Sequence, residues 1–295
     1  MAASRRRHVF RRVSSEGNSN GRVGDLPQTL APMTRSAALI QVAMAGLILV
    51  LSLADTPPAA NPAELSASEP RKLPPSYLPR EALPDSLALL PPPPAPGSAG
   101  LRRDEEARKA AARLRGTARY QLASKDAVIG FPELPDDFAC ATGFAITKEG
   151  TPRLYGLLGK MLIDVGLSTY RAKDHYKRTR PFVVHRETTC YPKDEQLLRQ
   201  DGSYPSGHSA IGWGFALVLA ELDPERADAI LQRGREFGQS RLICDAHWQS
   251  DIDAGRVIGA ATVARLHADA AFRADLDAAR AEIGSRPRQA TTACQ

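Results

Sequence analysis

Residues 207–222 read GHSAIGWGFALVLAEL, an apolar run that starts directly after Pro205-Ser206. Ile211, Phe215, Val218 and Leu222 recur at i, i+4, i+7 and i+11, the period of a helix with one buried face. Leu154, Leu158, Met161 and Val165 repeat that spacing in 152–169, and Pro152 suits a first helical turn. Residues 101–128 contain no proline and many strong helix formers, with acids near the start. A helix beginning near Pro224 carries Ala227, Ile230, Leu231 and Gly234; another is expected over 240–270, and an Ala-rich one up to residue 283. Alternating β patterns are scarce and no repeat is present. The expectation is an all-α fold: a single helical-bundle domain over 76–285.

The chain ahead of this domain is different. Thirteen of the 23 prolines lie between Asp55 and Gly100, so 55–75 reads as a flexible linker and PPPPAPGSAG (91–100) as a stiff polyproline stretch. Ser36–Ala54 is uncharged over the length of a short membrane span. Arg35 before it, and Ser52 and Ala54 at its end, match a signal peptide with cleavage after Ala54, favoured over a retained anchor. Residues 1–54 are therefore expected to be an N-terminal extension plus signal peptide, with Met33 a candidate true start, and 286–295 a tail. The expected location is periplasmic or secreted, with no membrane association in the mature form.

Charge excludes one class of partner. The chain has 39 Lys+Arg against 33 Asp+Glu; seven and two of these precede Asp55, leaving 32 against 31. The basic excess belongs to the N-terminal segment, and no basic stripe interleaved with aromatics follows, so nucleic acid is not expected. Cys140, Cys190, Cys244 and Cys294 show no C-x-x-C spacing, which leaves a metal cluster unsupported. In an exported chain they allow two disulfides in three pairings, and buried thiols are the alternative.

Three stretches bear chemistry: Lys173-DHYKRT-Arg180-Pro181, Pro205-Ser206-Gly207-His208 and Ser240-Arg241-LICDA-His247-WQS-Asp251. Singly, each has an ordinary reading. Lys173 and Arg180 fit a solvated basic face, Ser206 a helix cap, and His247 with Asp251, at i and i+4, a surface pair on one helix face. Together they fit one task. A helix start at Ser206-Gly207 offers free N–H groups and a positive dipole end to an anion. Lys173, Arg180 and Arg241 supply counter-charge, with two guanidinium forks for a tetrahedral oxyanion. His208, His247 and Asp251 remain for acid and nucleophilic chemistry.

These stretches match K-x6-RP, PSGH and SR-x5-H-x3-D, and so resemble the type 2 phosphatidic acid phosphatase superfamily, which also holds the vanadium haloperoxidases. LPDSLALLPPPPAPGS, GSYPSGH and GQSRLICDAHWQSDIDAGR further resemble the bacterial class A non-specific acid phosphatases, over roughly 75–270. One departure is Asp245-Ala246, where that family has Gly and a varied neighbour. The resemblance implies a phosphomonoesterase of broad specificity. His247 is then the nucleophile that forms a phosphohistidine, Asp251 its orienting acid, and His208 the proton donor and later base. Lys173, Arg180, Ser206, Gly207 and Arg241 bind phosphate, without metal or other cofactor. Opposite protonation needs of the two histidines imply a bell-shaped profile on the mildly acidic to neutral side. Phosphotransfer to an alcohol is an implied side activity.

Ser203 and Tyr204 are candidates for the leaving-group pocket, with packing as the alternative. Trp213 reads as core and Trp248 as packing, and His175, His185 and His267 as loop or surface residues. Expected partners are small phosphomonoesters such as nucleotides, and the resemblance is compatible with a homodimer or higher homo-oligomer. The competing functions are a vanadate-dependent haloperoxidase and a non-enzymatic phosphate-binding helical module. A membrane lipid phosphatase of this signature needs about six spans of about 20 apolar residues, and only 36–54 qualifies.

Overall fold

The computed structural model describes residues 75–284, all within one compact unit. The expected signal segment, nearly all of the linker and the tail lie outside the described residues. After a 3-10 turn at Arg80–Ala82, Asp85 caps α1 (Ser86–Leu89) by accepting from the amides of Leu87 and Ala88. Ser98 caps α2 (Ala99–Ala112) and Thr117 caps α3 (Ala118–Lys125). Short helices α4 (Glu133–Asp136) and α5 (Ala139–Thr142) lead to α6 (Pro152–Ser168) and α7 (Tyr170–Tyr176). Then come α8 (Pro181–Val184), α9 (Glu195–Gln200), α10 (Gly207–Leu222), α11 (Ala227–Ile243), α12 (Gln249–Leu266) and α13 (Ala270–Gly284). No strand occurs among the described residues, so the all-α expectation holds.

Helix α10 is the axis, packed by α6, α11 and α12, while α13 lies on α6. Leu154, Leu158, Met161 and Val165 are buried against Ile211, Phe215 and Val218. Burying each side chain of this size stabilises by about 1.5–3 kcal/mol. The approach of α12 to α10 requires a missing side chain: a Cβ on Gly255 would stand 2.4 Å from the Ser206 carbonyl oxygen. That contact brings the start of α10 against the start of α12, where Ser206 N donates to the Asp251 carbonyl oxygen at 2.9 Å.

Two expected boundaries are corrected. The helix over 101–128 is two, broken at Gly116, whose φ of 80° is left-handed. The helix expected over 240–270 starts only at Gln249, because α11 runs on to Ile243 and a left-handed turn at Asp245 (φ 60°) separates the two. Among the described residues no helix is long and apolar enough to cross a membrane.

Of the three disulfide pairings open to the sequence, Cys190 bonds Cys244 across 54 residues with Cα atoms 4.7 Å apart. A loop of that length corresponds to about 4 kcal/mol of unfolded-state entropy. Cys140 is also disulfide-bonded.

Candidate active site

The site is assembled at the junction of α11 and α12. At the end of α11, Asp245 N donates to Leu242 O (3.0 Å) and Ala246 N to Arg241 O (3.0 Å). This is the paired 5→2 and 6→1 bonding of a Schellman stop. The chain folds back so that His247 N also reaches Arg241 O, at 3.2 Å. Trp248 then caps α12, and Asp251, its third residue, accepts from Trp248 N at 2.8 Å. His247 and Asp251 therefore do not share a helix face, as their i, i+4 spacing suggested. A capping turn brings them together, with His247 Nδ1 3.5 Å from Asp251 Oδ2.

The His247 tautomer follows from its neighbours. Arg180 Nη1 stands 2.9 Å from His247 Nε2, and a guanidinium only donates, so the lone pair is on Nε2. The ring proton is then on Nδ1, facing Asp251 and the Ser203 hydroxyl (3.4 Å). Burial pushes the His247 pKa well below the usual histidine value, and Arg180, Lys173 and Arg241 push it the same way. The ring is neutral, with Nε2 pointing into the cationic cluster.

That cluster comes from the end of α7 and the residues after it. Lys177, at φ 43°, ends α7 and turns the chain so that Arg180 runs back across the site. Arg180 Nε donates to the Leu198 carbonyl (2.9 Å), Nη1 to the Ala246 carbonyl (3.0 Å) and Nη2 to Asp201 Oδ2 (3.0 Å). Lys173 Nζ meets the same Asp201 oxygen at 3.0 Å. Burial and the Arg180 charge lower the Lys173 pKa to about 8, against the pull of Asp201.

Arg241 is different. Its side chain is buried, and Nε has no hydrogen-bond partner among the described residues. Asp194 and Asp126 reach it only through space, while burial and Arg180 lower its pKa to about 9. Burying a guanidinium with an unsatisfied Nε is costly, and Arg241 lies close enough to press on both His247 and His208.

Ser206, fully buried, caps α10 by accepting from Ser209 N at 3.3 Å. The Gly207 amide follows at the first helical position, where an N–H has no intrahelical partner. His208 Nε2 bonds the Ala127 carbonyl at 3.0 Å; a carbonyl only accepts, so Nε2 holds a proton and Nδ1 is the nitrogen left for chemistry. Burial, then Arg241, push its pKa well below the usual value. Both depressed histidines move the expected bell toward acid.

Two expectations change. Ser203 is fully buried beside His247 and donates to Asp251 Oδ2 at 2.5 Å, so it packs rather than lines a leaving-group pocket. Tyr204 is also buried, its hydroxyl donating to the Pro91 carbonyl at 2.8 Å, so it pins the polyproline stretch. Asp245 faces away from the site and pairs with Arg108 through bonds of 2.6 and 3.0 Å. Trp248 packs, donating to the Thr179 carbonyl (2.9 Å), whereas Trp213 is half-buried rather than core. His175 is exposed, and His185 and His267 pair with Glu105 (3.1 Å) and Glu221 (2.9 Å), as loop or surface residues do. Sequence reading missed Asp201, which bridges Lys173 and Arg180, and Arg178, which holds Asp251. Both lie inside or beside the motifs and carry no spacing signal of their own.

An all-helical domain with a buried cationic cage beside two histidines defines a phosphoryl-handling class of protein. The family model described as "PAP2 superfamily" matches residues 154–274. A non-specific acid phosphatase of Providencia stuartii is 45% identical over 208 residues, covering 70% of this chain and 84% of the relative. The non-specific acid phosphatase of Salmonella typhimurium is 43% identical over 213 residues (72% and 85%), and an acid phosphatase of Zymomonas mobilis 42% over 199 (68% and 75%). The chain belongs to the PAP2 superfamily and, within it, to the non-specific acid phosphatases.

Proposed function

We propose that the protein is an exported acid phosphatase that hydrolyses small phosphomonoesters, nucleotides among them, through a phosphohistidine at His247. The observation that carries the reading is Arg241: a buried guanidinium whose Nε has no hydrogen-bond partner among the described residues, placed beside Arg180, Lys173 and the His247 lone pair, fits a site that takes an anion. A phosphoryl group supplies that charge.

His247 Nε2 attacks phosphorus as the ester P–O bond breaks, and His208 gives its Nδ1 proton to the departing oxygen. Asp251 stabilises the positive ring of the phosphohistidine through Nδ1–H. Water then attacks phosphorus, passes its proton to His208 Nδ1, and the P–N bond breaks. Lys173, Arg180, Arg241, the Ser206 hydroxyl and the Gly207 amide hold the three non-bridging oxygens, whose charge grows in the transition state. Export is supported by Ser36–Ala54 and by the oxidised Cys190–Cys244 pair, which suits a non-reducing compartment.

Hydrolysis of p-nitrophenyl phosphate by the purified protein, with and without EDTA, tests this reading. Activity should survive the chelator and vanish in His247→Ala, and acid-labile phosphate in quenched enzyme should map to His247. Loss of activity with EDTA, or label on another residue, overturns it.

A further inference from the structure

Arg178 stands two residues before Arg180 but turns to the opposite side of His247. Its Nη1 donates to Asp251 Oδ1 (2.5 Å) and to the Ser250 hydroxyl (2.7 Å), and its Nη2 to Asp104 Oδ2 (2.8 Å). Asp104, in α2, is held in turn by the Ser250 amide (2.8 Å) and hydroxyl (2.6 Å). The guanidinium lies over the Trp248 ring, 5.4 Å from its centre. Arg178 thus joins α2, the segment after α7 and the first turn of α12 behind the attacking imidazole.

We propose that Arg178 is a positioning residue for the nucleophile: it holds the Asp251 carboxylate charged and aimed at His247 Nδ1, and so fixes the tautomer that keeps the lone pair on Nε2, facing the cationic cluster. The proposal rests on the phosphatase reading for its kinetic consequences only. A carboxylate as buried as Asp251 is strongly disfavoured in water-free surroundings unless a cation meets it. Burial pushes its pKa up; Arg178 is the largest opposing influence, followed by the bonds from Ser203 and Trp248 N. The other charged groups facing Asp251 are committed or neutral. Lys173 and Arg180 already share Asp201, His247 is neutral, and the Tyr204 phenol is pushed up to about 12. Asp104 competes with Asp251 for the same guanidinium.

This competition separates an electrostatic role from a merely structural one. In Arg178→Met, kcat for p-nitrophenyl phosphate should fall about 10–100-fold with KM little changed, because the phosphate cage is untouched. The acid limb of kcat should move to higher pH, since Asp251 then takes a proton more readily. Arg178→Lys should restore the position of that limb and part of kcat. Asp104→Asn should move the limb the other way, toward lower pH, because Asp251 no longer shares its cation. A common limb in wild type and Arg178→Met, or an upward shift in Asp104→Asn, overturns the proposal; the second result decides even if Arg178→Met does not fold. Proton NMR of the His247 Nδ1–H, which should persist to lower pH in wild type and Arg178→Lys than in Arg178→Met, reads the same contact without turnover. Inactive wild type would overturn the phosphatase reading and leave that NMR comparison to decide Arg178.

Discussion

Arg241 and His208 show how far single side chains depart from what stability alone would select. Arg241 buries a charge among other cations with no bond to its Nε from the described residues. Replacing such a group with an apolar one of similar length is commonly neutral or stabilising, by about 1–4 kcal/mol. Arg241→Met should therefore raise the melting temperature of the phosphate-free protein while abolishing phosphatase activity; a fall in melting temperature would show that the guanidinium is paired in solution. His208 is tested by leaving group. With its Nδ1 as proton donor, His208→Ala should lose far more activity on an alkyl phosphate than on p-nitrophenyl phosphate, whose anion departs without a proton. Equal losses on both substrates would remove it from the acid role.

The elements show what spacing can and cannot reveal. Helices α6 and α10 were legible to within a residue, because Leu154 to Val165 and Ile211 to Leu222 repeat at 3.6 and are preceded by Thr151-Pro152 and Ser206. The α11–α12 junction was not, because apolar periodicity continues across it and the stop depends on one backbone angle at Asp245. The three site motifs named residues that the fold brings together, but neither Arg178 nor Asp201 could be read, since their partners come from 73 and 21–28 residues away. Asp245 also makes a test of that junction. A left-handed residue with a Cβ costs about 1–2 kcal/mol, and here Arg108 offsets it with two bonds to the carboxylate. Asp245→Gly removes the strain and the pair, whereas Asp245→Ala removes only the pair. Both should be less stable than wild type to urea, with Ala below Gly by about 1 kcal/mol; the reverse order would mean that the turn is not left-handed.

For the whole molecule, the proposed function makes the cationic cage a link between phosphate binding, stability and pH. Lys173 and Arg241 have folded pKa values lowered to about 8 and about 9, below their unfolded values, by burial and by the Arg180 charge. Between those values and the unfolded ones the unfolded chain binds more protons, so their contribution to stability rises with pH through that window. Below it the cations are charged and crowded, and the penalty is fully present. The histidines act in the same sense lower down: with folded values well below 6.5, stability is lost as pH falls through that value. On the proposed function, bound phosphate supplies counter-charge and favours the protonated cage. Its stabilisation should therefore be large near pH 7 and shrink toward pH 9.5, where Lys173 and Arg241 give up protons in the free enzyme. At 100 times the dissociation constant the gain is about 2.7 kcal/mol, or roughly 5–10 °C for a domain of this size. Comparing melting temperatures with and without inorganic phosphate at each pH cancels groups outside the cage, such as Asp137, whose carboxyl burial raises to about 7. A phosphate-induced shift that held constant or grew between pH 7 and 9.5 would mean that the buried cations do not form the anion site.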